Sequence, residues 1–202
     1  MTVDKIILRA FLTTLASVAI LFLFMITALV CVYPQTMMRL TYDLGMEKAS
    51  VWFAEVSYDR SNDVYYIAYA TEVAIDQQNY EKIESCGAQF IADEDFDDFC
   101  ADKNAAQSTE TDMTYTQYVY GQICVAKYAL GHAGEAVDLA FELTGKNAFP
   151  KNNAVVAVLF SALREDDAET VALIREKMNK QTQVGTEDKA YFDAILALTE
   201  SK

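Results

Sequence analysis

The chain has 202 residues, 52% of them hydrophobic, with sixteen basic against thirty acidic side chains and a net charge of −14. That length accommodates one compact domain of about 150 residues together with one membrane segment. So negative a surface repels phosphate backbones, which excludes nucleic acid from the expected partners.

Residues 1–9 form a short leader to the first element. Residues 10–33, AFLTTLASVAILFLFMITALVCVY, carry no charged side chain. At about 1.5 Å per residue they reach roughly 36 Å as a helix, enough to cross a hydrocarbon core of about 30 Å with some tilt. A cleavable signal peptide would have an apolar run of about 7–15 residues and a small-x-small site, which Leu29-Val30-Cys31-Val32 does not offer. The segment therefore reads as an uncleaved signal anchor in a single-pass protein of the cell membrane. Lys5 and Arg9 precede it, and the next basic residues are Arg39 and Lys48. The positive-inside rule then puts the N-terminus in the cytoplasm and residues 34–202 outside it.

Beyond Pro34 the apolar spacing is helical. In 64–75, VYYIAYATEVAI, Tyr65, Ala68, Tyr69 and Val73 recur at three and four. Residues 135–143, 153–163, 168–178 and 187–198 behave alike, and no stretch alternates with period two, so the fold is expected to be all-α. Joints are expected near Gly45, Gln78-Asn79, Gly131–Gly134 and Glu165–Asp167, each followed by an amphipathic helix: MEKASVWFAEV, NYEKIESCGAQF, AGEAVDLAFEL and DAETVALIREKM. Setting Ala49, Ile83, Ala136 and Thr170 in one equivalent slot gives spacings of 34, 53 and 34 residues, the middle one lengthened by an insertion of 19.

The insertion, 92–112 (ADEDFDDFCADKNAAQSTETD), holds eight acidic residues and one lysine, half of the net charge. It is expected to be a largely exposed loop. Asp93, Asp95 and Asp97 alternate as in a calcium-binding EF-hand, but the positions that should be glycine and glutamate are Asp98 and Asn104. The four cysteines, Cys31, Cys86, Cys100 and Cys124, form no metal-ligand spacing. A Cys86–Cys100 disulfide is the expectation, with buried reduced thiols as the standing alternative.

Residues 129–137, ALGHAGEAV, contain the chain's single histidine. Gly131 can take the left-handed conformation that ends a helix, and Ala136 is a small residue five positions later. This stretch resembles the helix–turn–helix joint of tetratricopeptide repeats, and the resemblance extends over about residues 35–182. It places His132 in a solvated turn and implies an N-terminal transmembrane helix followed by a tetratricopeptide-like α-solenoid of helical hairpins, capped by TEDKAYFDAILALTES. Carried over, the family's groove positions fall on Tyr65, Ala68 and Glu72, on Tyr118, Gly121, Val125 and Tyr128, and on Asn152, Val155 and Leu159. Tyr65, Glu72, Tyr118 and Tyr128 are the residues expected to bind a partner, because tyrosine joins a large apolar body to a polar tip.

No glycine-rich phosphate loop, GxSxG, HExxH or Cys–His pairing occurs, so no catalytic, cofactor or metal residue is assigned and no enzyme is expected. The layout resembles small anchored bacterial repeat proteins that assist envelope assembly or secretion. The expected function is that of a scaffold or adaptor for a membrane-associated protein or peptide, held in the lipid bilayer by residues 10–33. The alternative is an extracytoplasmic ligand- or cation-sensing domain that uses the acidic insertion.

Overall fold

In the computed structural model, residues 3–106, 113–146, 148–181 and 184–200 are described; they form eleven helices and no strand. The chain divides into two compact units, Met1–Asn62 and Asp63–Lys202. The division falls at a left-handed Asn62 (φ 53°), where one helix stops, and at Asp63, whose carboxylate caps the next helix by accepting the Tyr65 N–H. The first hairpin after α1 thus belongs to the same unit as α1.

In the first unit, α1 (Val3–Val32) is followed by α2 (Pro34–Asp43) and α3 (Glu47–Ser61). From Leu8 to Val32, α1 is apolar and long enough to cross a membrane, and none of its most apolar stretch is buried within the protein. Its hydroxyls fold back onto their own helix: Thr13 on the Arg9 and Ala10 carbonyls, Thr14 on Ala10, Ser17 on Thr13 and Thr27 on Leu23. No water is needed to satisfy them. Pro34 then disfavours helical backbone at Tyr33 and starts α2 at its first turn, where a missing N–H costs nothing. Helices α2 and α3 pack as a hairpin, with Pro34, Met38 and Thr41 facing Ser50, Ala54 and Ser57 at helical spacing.

The second unit contains α4 (Val64–Asp76), α5 (Tyr80–Ile91), α6 (Phe96–Ala106), α7 (Tyr115–Ala129), α8 (Ala133–Thr144), α9 (Ala154–Arg164), α10 (Ala168–Lys180) and α11 (Lys189–Glu200). Helix α4 pairs with α5, α7 with α8 and α9 with α10; α7 also packs on α5 and α9, α8 on α10, and α11 on α10. Gly87 and Gly121 permit the closest approaches. A Cβ at Gly87 would come within 2.5 Å of Ile123 Cγ1, and one at Gly121 within 3.4 Å of the Ala157 Cβ. Phe149, Val155, Leu159, Ile174 and Met178 form the fully buried centre of the C-terminal core.

Four joints repeat one turn. Gly45, Gln78, Gly131 and Asp166 all have left-handed backbone, with φ of 69°, 53°, 86° and 55°. At each, the left-handed residue donates its N–H three residues back (Gly45 to Tyr42, Gln78 to Ile75, Gly131 to Tyr128, Asp166 to Leu163). The next residue donates five back (Met46 to Thr41, Asn79 to Ala74, His132 to Lys127, Asp167 to Ala162). This double closure satisfies the helix's last carbonyls and is the Schellman motif. The residue that completes it caps the following helix, so Met46, Asn79, His132 and Asp167 are equivalent, at spacings of 33, 53 and 35 residues. Four residues on lie Ser50, Ile83, Ala136 and Val171, all buried. The expected slot at Ala49 and Thr170 is therefore one residue early in the first and last hairpins, and correct at Ile83 and Ala136.

Two expectations about the insertion are corrected. It is not a loop: 96–106 forms α6, and Phe96 and Cys100 are buried on one face of it. Phe90 is packed edge-on by both Phe96 and Phe99, and Phe96 stacks on Tyr120. The acidic side chains occupy the remaining faces of the helix, and residues 107–112 lie outside the described residues. The Cys86–Cys100 disulfide is not formed either. Cys86, Cys100 and Cys124 are buried thiols, and burial pushes the Cys124 thiol up to about 12 and raises that of Cys100.

Candidate functional site

The first helices of two successive hairpins, α7 and α9, run side by side because Gly121 faces Ala157. Along this seam an open groove of about 290 Å³ is lined by Tyr118, Gly121, Val125, Val156 and Phe160, with Gln117, Gln122, Asn152 and Asn153 supplying amides and Met113 and Ala157 completing the wall. Its lining is mostly apolar, yet Phe160 is 54% exposed. An exposed aromatic beside amide side chains is a common feature of binding clefts.

The local sequence explains each wall. Thr114 opens α7 with a capping box: its hydroxyl takes the Gln117 N–H at 3.2 Å, and the Gln117 side chain takes the Thr114 N–H at 3.0 Å. That fixes the rotation of α7, which turns Tyr118, Gly121 and Val125 toward the groove at spacings of three and four. Asn153 caps α9 by accepting the Val156 N–H at 3.1 Å, while its own amide donates to the Pro150 carbonyl. Helix α9 is apolar around most of its circumference. Val155, Val158 and Leu159 serve the core, and Val156 and Phe160 face the groove.

The four residues expected to bind a partner are not brought together. Tyr118 lines the groove, half-buried. Tyr65 is 44% exposed on α4 and lies outside the lining. Glu72 is committed to a clamp, accepting the Tyr115 hydroxyl at 2.7 Å and the Lys103 ammonium at 3.0 Å. It thereby ties α4 to α6 and α7, with Lys103 resting over the Phe99 and Tyr115 rings. Tyr128, contrary to expectation, is only 7% exposed. Its ring belongs to the core, and its hydroxyl donates to Asp167 at 3.1 Å and lies 3.4 Å from Glu165. Of the other groove positions, Gly121, Val125 and Asn152 line the groove, whereas Ala68, Val155 and Leu159 are core.

The field at the Tyr118 end is negative. Burial raises the phenol first, and the charges of Asp76 and Glu72 raise it further. His132 occupies the α7–α8 joint with its side chain half in solvent. Its Nδ1 lies 3.6 Å from Glu84, which also holds Lys127 at 2.8 Å. The hydrogen bond from Lys127 is the main cause of the lowered Glu84 carboxyl. Among the described residues no group of three or more histidine, cysteine or acidic side chains is arranged to hold a metal ion. In the acidic segment, the Asp93 carboxylate instead accepts the N–H of Asp95, closing the turn into α6.

Among the lining residues that sequence reasoning missed, Phe160 and Val156 supply the apolar wall on α9. The signal was present: AVVAVLF is apolar on more sides than one packed face requires. No protein-family model, no curated protein and no solved structure matches the chain.

Proposed function

We propose that this protein is a membrane-anchored, non-enzymatic adaptor whose helical hairpins form a tetratricopeptide-like stack that holds a segment of another protein in the α7–α9 groove. The observation that carries this reading is the exposed Phe160 beside Tyr118 and four amide side chains, at a seam made by two first helices. Support for the stack comes from the four equivalent Schellman joints and from α11 covering the end of α10. The fitting partner segment presents an apolar side chain to Val125, Val156 and Phe160 and a lysine or arginine toward the negative Tyr118 end. The Gln122 amide would pair with its backbone. The anchor raises the adaptor's concentration near membrane-associated partners. The domain faces away from the cytoplasm, consistent with Lys5 and Arg9 ahead of the span.

The test is a photo-crosslinking amino acid placed at Phe160 in native membranes, with Glu169 at the start of α10 as the control position. A discrete adduct is expected from Phe160 alone, reduced by Tyr118→Ala in the same chain. Equal adducts from both positions, or an adduct indifferent to Tyr118→Ala, would refute the groove.

A further inference from the structure

We propose that α2 is a second membrane contact: one side of it lies in the headgroup–acyl boundary of the bilayer that α1 crosses. The inference rests on the reading of α1 as a membrane span.

The depth of the bilayer is marked by two arginines. Arg9 precedes the uncharged stretch. At the other end the Arg60 guanidinium donates to the Cys31 carbonyl at 2.5 Å. A guanidinium is costly in hydrocarbon and at home among headgroups, so the Cys31 carbonyl lies at the boundary. The segment between, Ala10–Val30, is 21 residues long. It measures about 31 Å as a helix, matching a hydrocarbon core of roughly 30 Å. Tyr33 is the single non-helical residue between α1 and α2, so α2 begins within the headgroup layer.

The surface of α2 fits that location. Pro34, Met38 and Thr41 form the side packed on α3. A second stripe, Tyr33, Met37, Leu40 and Leu44, runs beside it at spacings of four, three and four. It is exposed at Tyr33, Leu40 and Leu44, the last 65% exposed. Gln35, Thr36, Arg39, Tyr42 and Asp43 occupy the rest of the circumference. Leu29 and Val32 at the end of α1, Tyr33 at the junction, and Leu40 and Leu44 on α2 are all exposed apolar side chains, with a single residue joining the two helices. The one-residue link to α1 and the Arg60 bond to Cys31, which hold the start of α2 at the boundary, make lipid rather than a partner protein the occupant. Tyrosine at the junction suits the interface because its ring is apolar and its tip is wet. A helix lying in this plane buries such a stripe by a few ångströms and leaves its polar side to water. Because α1 already holds α2 at the surface, even a weak intrinsic preference suffices to keep it there.

The full chain, with Trp52→Phe removing its one tryptophan, would be reconstituted in vesicles of phosphatidylcholine brominated near the top of the acyl chains. Single tryptophans would be placed by Leu44→Trp, Leu40→Trp and Gln35→Trp, with Leu21→Trp reporting the span in parallel vesicles brominated near the ends of the acyl chains. Quenching at Leu44→Trp and Leu40→Trp several-fold stronger than at Gln35→Trp is expected, alongside quenching at Leu21→Trp. Stronger quenching at Gln35→Trp than at Leu44→Trp would mean an upright α2 and would overturn the proposal. A Leu44→Trp protected from aqueous iodide yet unquenched by bromine would assign the stripe to protein, a second copy included, and would overturn it too. If Leu21→Trp is quenched and both stripe positions are not, the span stands and the interfacial helix falls. If Leu21→Trp is also unquenched, the span itself fails.

Discussion

Tyr128 offers the sharpest separation between a groove residue and a core residue. Tyr128→Phe removes only the hydroxyl that donates to Asp167 and lies near Glu165. A hydrogen bond to a charged acceptor contributes about 1.5–3 kcal/mol, but both acceptors face water in part, so a loss of about 1 kcal/mol is expected. Tyr128→Ala also empties the space its ring fills beside Ala136 and Leu159 in the core cluster. That cavity should cost about 3–5 kcal/mol. For a chain of this size the two losses correspond to roughly 2–4 °C and about 8–15 °C in Tm. Urea and thermal unfolding of the full chain in detergent, followed by helicity, would measure both. The alkaline limb tests the same hydrogen bond independently. Burial, then the Asp167 bond, push the phenol up to about 12. An unfolded tyrosine ionises near pH 10, so the wild type's advantage over Tyr128→Phe is complete below about pH 10 and is lost as the pH rises toward 12. A Tyr128→Ala protein that melts with the wild type but no longer captures its partner would refute the core assignment.

Gly87→Ala should destabilise by about 1–3 kcal/mol despite its better helix propensity, because the added methyl meets buried Ile123; the urea midpoint checks this. With no Cys86–Cys100 bridge, reductant should leave Tm unchanged, and a thiol reagent at neutral pH should modify the three buried cysteines only as fast as the fold opens. Glu72→Ala should release the Lys103 and Tyr115 clamp and speed amide exchange in 96–106, with a loss of about 1–2 kcal/mol; unchanged exchange there would show that the Phe90, Phe96 and Phe99 rings hold α6 alone. Protease added to spheroplasts should digest residues 63–202 before lysis; protection until lysis would reverse the orientation.

The helical periods were legible because each hairpin buries one face, and the predicted helices at 64–75, 135–143, 153–163, 168–178 and 187–198 all lie within or nearly within observed ones. The joints were legible at Gly45 and Gly131, where glycine marks the left-handed residue. Gln78 and Asp166 take the same conformation without that mark. Helix α6 was hidden by charge. Phe96, Phe99 and Cys100 sit at helical spacing inside FDDFC, but net charge reports a segment's solvated faces and not its single buried one. Three of the five groove-lining residues on α7, Tyr118, Gly121 and Val125, followed from the family resemblance. Tyr128 did not, since it shares Cys124's side of α7 rather than that of Tyr118 and Val125.

The self-contained hydroxyls of α1 bear on how the protein moves within a membrane. Thr13, Thr14, Ser17 and Thr27 each spend their only hydroxyl proton on a carbonyl of the same helix. None is left to donate across to a neighbouring span, and recruiting one would break a bond already made in a medium with no water to replace it. Side-by-side pairing of two such anchors would have to be driven by shape alone. Leu, Phe, Ile and Val cover most of the surface of α1, and its small residues Ala10, Thr13, Thr14 and Ser17 gather on one face at spacings of three and four. Were α1 to cross a membrane, a second such helix could come close to it along that small-residue face, by packing and without a hydroxyl bond between the two.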